Sequence, residues 1–133
     1  MVHYKIYSDY LFYSYLLDEC QLDIFFTMAK TYNLDCPVAR TLDLVGERWT
    51  MLILRDLLLE GPRRFQDLQE SLDGVAPNTL SARLKAMEQQ GLINGRLYSE
   101  HPPRLEYQLT EKGKTLGPIL QALRDWGKRH TTK

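Results

Sequence analysis

The sequence is poor in the residues from which catalytic and metal sites are built. It has two cysteines and three histidines among 133 residues, and His3, His101 and His130 lie far apart. They do not form a cluster for proton transfer, and Cys20 and Cys36 lack the spacing of a zinc site or a disulfide framework. No Walker loop, dinucleotide fingerprint or nucleophile elbow is present. We therefore expect neither an enzyme nor a protein that holds a metal or a cofactor.

The sequence has no apolar run long enough to cross a membrane. The longest candidate, Tyr10 to Leu17, has eight residues, whereas a spanning helix needs about 20. Asp18 and Glu19 follow at the point where a signal peptide would carry small residues. The two cysteines are also too few for a secreted disulfide-rich protein. We therefore expect a cytoplasmic protein without a membrane segment.

The chain carries no net charge, with 17 cationic and 17 acidic side chains. A nucleic-acid-binding domain is more often basic, but the charge is uneven along this chain. Residues 1–27 have a net charge of −3, and the remaining residues hold 16 cations and 13 anions. Because attraction to a polyanion depends on the charge of one surface, the neutral total weakens a DNA-binding interpretation without excluding it.

Residues 1–27 differ from the rest of the sequence and are treated as an N-terminal extension. They hold five of the eight tyrosines within the first fifteen positions, and no helical stripe persists through them. One interpretation is an interaction helix that packs on a partner subunit. The other is a poorly ordered extension from an upstream start codon, with Met28 as the natural start. We favour the second interpretation, and residues 28–133 then form one domain.

The first part of this domain reads as short helices. Pro37 suits the first turn of a helix that Gly46 can end. The run from Trp49 to Leu59 is apolar almost all round, so we expect a central, buried helix. A short amphipathic helix follows from Phe65.

The next helix has two different faces. Leu80, Leu84 and Met87 recur at helical spacing and share one side. The opposite side is small and polar, and it is predicted to consist of Asn78, Ala82, Lys85 and Gln89, with Thr79 and Ser81 on its flanks. Such a face suits a helix in a DNA major groove. Taken alone, the same pattern is typical of an ordinary solvated helix.

After this helix the alternation changes to period two. Leu105, Tyr107 and Leu109 point one way, and Arg104, Glu106 and Gln108 point the other. We expect strands at Ile93–Tyr98 and Leu105–Leu109 with a tip at residues 99–104, where Pro102 and Pro103 are tolerated. Helix, polar helix and hairpin in this order predict a winged helix-turn-helix, a mainly α fold with a small β-wing. Cations that could grip phosphate or enter a minor groove are Arg63, Arg64, Arg96 and Arg104.

A last helix should follow the wing. Thr110 is a plausible N-cap with Glu111 in the first turn, and Gly117-Pro118 should kink the helix or delay its regular part. The apolar stripe of this helix consists of Leu116, Ile119, Leu120, Leu123 and Trp126. It is too apolar for an exposed terminal helix, so we expect it to be buried partly against a second subunit.

Seven short motifs occur in one order between Asp35 and His130. They are Cys36-Pro-Val-Ala-Arg, Gly46-Glu-Arg-Trp-Thr, Ile53-Leu-Arg-Asp-Leu, Gly61-Pro-Arg-Arg-Phe, Ala76-Pro-Asn-Thr-Leu-Ser-Ala-Arg-Leu, Pro102-Pro-Arg-Leu-Glu-Tyr and Leu109-Thr-Glu-Lys-Gly. This set resembles the HxlR family of winged-helix transcription regulators, which are relatives of the MarR group. The resemblance implies a homodimer joined through its first and last helices that binds a two-fold symmetric double-stranded DNA operator. It also implies a redox-active or small-molecule effector.

Cys36 is a candidate sensor of that effector. It immediately precedes a helix that starts with Pro37, so the helix dipole would favour its thiolate. The resemblance implies sensing of disulfide stress, quinones or aldehydes through a cysteine in this context. The alternative is a small hydrophobe packed at the dimer interface, which is a common role of free cysteines.

A winged helix can also bind protein instead of DNA. Large apolar residues on the outward face of the second helix would favour that alternative, and this face has none. We therefore expect a sequence-specific DNA-binding transcription regulator.

Overall fold

The computed structural model describes residues 33–133, so the N-terminal extension at residues 1–27 lies outside the described residues. The described elements are α1 (Pro37–Val45), α2 (Thr50–Glu60), β1 (Arg63–Arg64), α3 (Phe65–Ser71), α4 (Pro77–Gln89), β2 (Ile93–Glu100), β3 (Pro103–Leu109), α5 (Glu111–Lys114) and α6 (Gly117–His130). This order confirms the mainly α fold with a β-wing. None of the described helices has the length and apolar character needed to span a bilayer.

The helix ends follow the signals in the sequence. Pro37 occupies the first turn of α1 and Pro77 the first turn of α4, where a missing N–H group costs nothing. Gly61 ends α2 with φ of 78°, and Gly91 follows α4 with φ of 71°. Both conformations are in the left-handed region, which glycine adopts without a steric penalty. The predicted helix starts and stops are thus confirmed at these four positions.

One apolar core joins α2, α3, α4 and the sheet. Ile53, Leu68, Leu84 and Tyr107 are among its buried members. The predicted central position of α2 is confirmed by the buried Ile53, Leu54 and Leu57, but its burial is incomplete, because Leu59 keeps 69% of its surface exposed. Only one side of α2 contributes to this core, and the other side carries apolar residues to the surface of the chain.

The sheet has three antiparallel strands in the order β1-β3-β2. The two-residue strand β1 was not predicted, because two residues show no alternation. The strands β2 and β3 are longer than expected, and only His101 and Pro102 remain between them. Arg104 is therefore inside β3 and opposite Ser99, and its predicted place in the tip is wrong. Backbone pairing between β2 and β3 continues almost to the turn. The strands therefore include residues that were predicted to form a loop because Pro102 and Pro103 are there.

The segment after β3 fastens the carboxyl end of α4. Thr110 caps α5 by accepting a hydrogen bond from the Gly113 N–H at 3.0 Å, and its hydroxyl donates to the Gly91 carbonyl. The Lys112 ammonium donates to the Gln90 carbonyl at 2.8 Å. Carbonyl groups that a helix end leaves without helical partners are satisfied in this way. The predicted cap at Thr110 is confirmed, and α6 begins at Gly117, as the predicted delay required.

Gly113 lies close to the backbone of Leu92, and a substitution there tests the packing of this segment. A Cβ atom added at Gly113 would lie 2.1 Å from the Leu92 backbone oxygen, whereas one added at Gly117 would meet nothing within 4 Å. We expect Gly113→Ala to lower the free energy of unfolding by about 1–3 kcal/mol, as overpacking does. Gly117→Ala is the matched control and should be neutral or slightly stabilising. Urea unfolding followed by circular dichroism measures both, and equal stability of the two variants would contradict the packing described here.

Candidate nucleic-acid interface

The two faces of α4 are present as the spacing predicts. Leu80, Leu84 and Met87 are buried in the core, with at most 1% of their surface exposed. Asn78 is exposed on the other side, and Lys85 is partly exposed. The remaining predicted contacts on this side, Thr79 and Ala82, are also partly exposed. The helix therefore presents a narrow polar strip to the surface.

Ser81 does not belong to this strip. Only 1% of its surface is exposed, so its predicted place on an outward flank is wrong, and its side chain cannot reach DNA in this conformation. Its hydroxyl oxygen has no hydrogen-bond partner among the described residues. Arg83, on the other flank of the apolar stripe, is also largely covered, and its Nε atom lies 3.9 Å from a Glu47 carboxylate oxygen. Neighbouring elements thus cover more of α4 than its three apolar residues alone indicate.

The first turn of α4 is open at its backbone. The helix begins at Pro77 after Ala76, and no side chain caps it. Residue Asn78 is in this first turn, where N–H groups lack helical acceptors. These N–H groups, at the positive end of the helix dipole, can donate hydrogen bonds to a phosphate oxygen.

The strand register divides the arginines of the wing between two faces. Tyr107 is opposite Arg63 in β1 and Gly95 in β2. Because Tyr107 is buried and opposed residues share a face, this row faces the core. Arg63 accordingly has a covered Nε atom and lies 4.0 Å from Glu60, so its position favours a structural role.

The adjacent row faces outward. Glu106 in β3 is opposite both Arg64 and Arg96. Arg104 shares this side, because it is two residues from Glu106 along the strand. We call the surface formed by Arg64, Arg96, Arg104 and Glu106 the outer wing face. Three of the four arginines predicted from the sequence are therefore brought together there.

Glu106 and Tyr98 shape the outer wing face, and neither was predicted as a site residue. Glu106 accepts a hydrogen bond from the Arg96 guanidinium at 3.1 Å. The Arg64 guanidinium lies over the Tyr98 ring, 4.5 Å from its centroid. Alternation in β3 places Glu106 beside the arginines, so that residue could have been found from the sequence. The position of Tyr98 depends on an irregularity of β2 that leaves no sequence signal.

Cys36 is the N-cap residue of α1 and is partly buried. The backbone N–H groups of Ala39, and to a smaller extent Val38, lower the pKa of its thiol, while partial desolvation opposes them. Arg40 is the nearest cation along the chain, and its Nη1 atom lies 3.0 Å from Oδ1 of Asp35. The thiolate is thus favoured by the helix start itself, as donors at a helix N-terminus stabilise an anion.

Two helices carry apolar side chains that remain exposed within residues 33–133. Val38 and Leu42 of α1 are exposed, as are Ile119, Leu123 and Trp126 of α6, the last with 60% of its surface. A cleft of about 680 Å³ separates α6 from the exposed side of α2. Exposed apolar side chains on these helices favour a protein–protein contact.

Within residues 33–133, no three histidine, cysteine or acidic side chains converge as metal ligands would.

Comparison with known proteins identifies the relatives of this chain. The profile of the HxlR-like helix-turn-helix family matches residues 44–133. The HTH-type transcriptional regulator BH0655 of Halalkalibacterium halodurans is 41% identical over 93 residues, which are 70% of this chain and 82% of that protein.

Two solved structures are similar in fold and sequence. The redox regulator HypR in its oxidized form superposes with a TM-score of 0.69 at 31% identity, over 74% of this chain and all of that one. The reduced form of the transcriptional regulator YodB from Bacillus subtilis has a TM-score of 0.62 at 31% identity, over 74% of this chain and 96% of that one.

Proposed function

Because the chain belongs to the HxlR-like helix-turn-helix family of transcriptional regulators, we propose that it binds an inverted-repeat DNA operator as a homodimer in the cytoplasm. The observation that carries this proposal is the polar strip of α4, open at its first turn, on a domain whose wing carries three arginines on its outer face. A helix of this kind fits a major groove.

The contacts are assigned by position. Asn78 and Thr79, at the start of α4, would reach base edges or phosphate, and Ala82 would meet a thymine methyl group. Lys85 would reach a guanine edge or a phosphate. The cations of the outer wing face, Arg64, Arg96 and Arg104, would contact phosphate or a minor groove. Ser81 is left out of this assignment because it is buried. Arg63 is left out because it is in the same row as the buried Tyr107 and lies 4.0 Å from Glu60.

The uncovered apolar side chains of α1 and α6 support a two-fold dimer. Full burial of a large apolar side chain contributes about 1.5–3 kcal/mol, and a two-fold interface uses every such residue twice. A dimer of this kind would present its two α4 helices to operator half-sites about 10 base pairs apart, one turn of the duplex.

Cys36 is proposed as the site of a redox or electrophile signal. Backbone N–H groups at the helix start lower the pKa of its thiol, and the next residues of α1, including Val38 and Leu42, belong to the proposed dimer contact. Oxidation or alkylation of the sulfur would disturb the packing of α1 and change the relation between the two subunits. HypR is a redox regulator, and its similar structure is the oxidized form, while that of YodB is the reduced form; both agree with this role.

The DNA surface is tested by two variants of α4. We expect Asn78→Ala and Lys85→Ala each to weaken binding to a selected operator duplex by roughly 1–3 kcal/mol, the value of one good base contact, with little change in melting temperature. Lys128→Ala, which removes an exposed cation of α6, is the charge-matched control for Lys85 and should bind normally. Fluorescence anisotropy gives the affinities. Unchanged binding in both α4 variants and in Arg104→Ala would favour a protein-binding role of the wing domain.

The assembly is tested on α6. Leu123→Glu would remove about 2 kcal/mol of apolar burial per subunit and bury two charges, so the dimer should weaken on the order of a thousandfold or more. Lys128→Glu is the control, because residue 128 is on the opposite side of the helix by spacing. Sedimentation at micromolar concentration should find the wild type and the control dimeric and the Leu123 variant monomeric. A monomeric wild type would refute the proposed assembly. Deletion of residues 1–27 should leave dimer and affinity nearly intact.

The sensor role is tested on the sulfur. Alkylation rates measured against pH should give Cys36 a pKa below that of free cysteine, because its thiolate is stabilised by backbone N–H groups. Diamide should change the operator affinity of the wild type and of Cys20→Ser, whereas Cys36→Ser should bind as the reduced protein does and not respond. Mass spectrometry verifies that Cys36 is modified. If protein that is fully modified at Cys36 binds the operator with unchanged affinity, Cys36 is a packing residue and not a sensor.

A further inference from the structure

Tyr98 occupies an irregular position in the wing. Arg96 and Leu97 of β2 are opposite Glu106 and Leu105, and the next paired residue of β2 is Ser99, opposite Arg104. Tyr98 is therefore the extra residue of a β-bulge and has no residue opposite it. Bulges redirect a side chain out of the regular alternation. Here the redirected ring lies beneath the Arg64 guanidinium, with 4.5 Å between the guanidinium carbon and the ring centroid.

Arg64 is held at two further points. Its backbone N–H group donates to an Asp67 carboxylate oxygen at 3.0 Å, which fixes the start of α3. Its position in β1 is paired with Glu106 of β3. The stack on Tyr98 adds a third restraint at the far end of the side chain, so the charged group of an otherwise flexible arginine is confined.

An ion pair and an aromatic stack leave a guanidinium with different capacities to bind an anion. The Arg96 guanidinium on the same face is joined to the Glu106 carboxylate, which uses its charge and part of its donors. No carboxylate in residues 33–133 lies within ion-pair distance of the Arg64 guanidinium. An aromatic ring covers one face of a guanidinium but leaves the N–H donors in its plane free to bind an oxyanion.

We propose that Tyr98 is a positioning residue for DNA binding, which holds the Arg64 guanidinium in place so that its N–H donors meet a backbone phosphate. This inference depends on the proposed function. The ring immobilises Arg64 before DNA arrives, and less conformational entropy is lost when the contact forms. Tyr98 itself acts through its aromatic face and needs no contact with DNA.

The experiment uses the full chain and a 30-base-pair duplex enriched from a random library by the wild-type protein. Exposed cation–π pairs are worth about 0.5–1 kcal/mol, so Tyr98→Leu should bind about two- to fivefold more weakly. Tyr98→Phe keeps the ring and should bind as the wild type does. Arg64→Met should bind more weakly and lower the salt slope of log K by about 0.9, the value of one phosphate contact. The Tyr98→Leu slope should stay near the wild-type slope, because the contact still forms.

The double variant Arg64→Met/Tyr98→Leu decides between positioning and a general structural effect. In the Arg64→Met background, Tyr98→Leu should cost no further affinity. An equal loss in both backgrounds, or a Tyr98→Phe variant as weak as Tyr98→Leu, would overturn the proposal. Melting temperatures of all variants identify any loss of folding.

NMR of the free protein separates this inference from the proposed function. The Arg64 side-chain protons should show ring-current shifts in the wild type and in Tyr98→Phe but not in Tyr98→Leu. Absence of these shifts in the wild type would refute the stack whatever the DNA result. If the shifts are present but the wild type enriches no duplex, DNA binding itself is refuted, and the role of Tyr98 in it falls for that reason.

Discussion

Leu80, Leu84 and Met87 hold α4 by one face in the same core as Ile53 and Ile93, and the candidate DNA surface depends on this contact. A helix that is buried on one side must offer its other side to solvent, and the core therefore decides which residues can meet a ligand. Ser81 and Arg83, on the flanks of α4, are covered, so the exposed side of this helix is narrow. The packing of α4 in the core both stabilises the domain and determines which polar residues face solvent. A change in this packing would therefore alter the stability and the orientation of the polar strip together.

The neutral total charge hides a strong local arrangement. Several cations are joined to carboxylates that fix the fold: Arg55 donates to the buried Asp56, which also accepts from Ser71 and so ties α2 to α3. Buried carboxylates need such partners, because desolvation of an isolated charge is costly. Arg96 is partly neutralised by Glu106, whereas Arg64 is supported by an uncharged ring. Two cations on one face thus differ in their available charge, which a count of arginines and lysines does not reveal.

Much of the fold could be predicted because its signals are local. Proline at helix starts, glycine at helix ends and the three apolar residues of α4 each express the conformation of a few neighbouring residues. What could not be predicted depends on distant contacts. The burial of Ser81 follows from elements packed beside α4, the exposure of Leu59 from the one-sided use of α2, and the strand at Arg63–Arg64 from its pairing with Tyr107 and Glu106. For the site, alternation correctly grouped Arg104 with Glu106, but the bulge at Tyr98 gave no periodic signal.

The hydrogen bonds that Thr110 and Lys112 make to the last carbonyls of α4 have a mechanical consequence. They join the end of α4 to α5, and only Thr115 and Leu116 separate α5 from α6. The carboxyl end of α4 and the first turn of α6 are therefore attached to the same short segment of chain. A displacement of α6, whose apolar side chains are exposed, would have a direct covalent and hydrogen-bonded route to the helix that carries the polar strip.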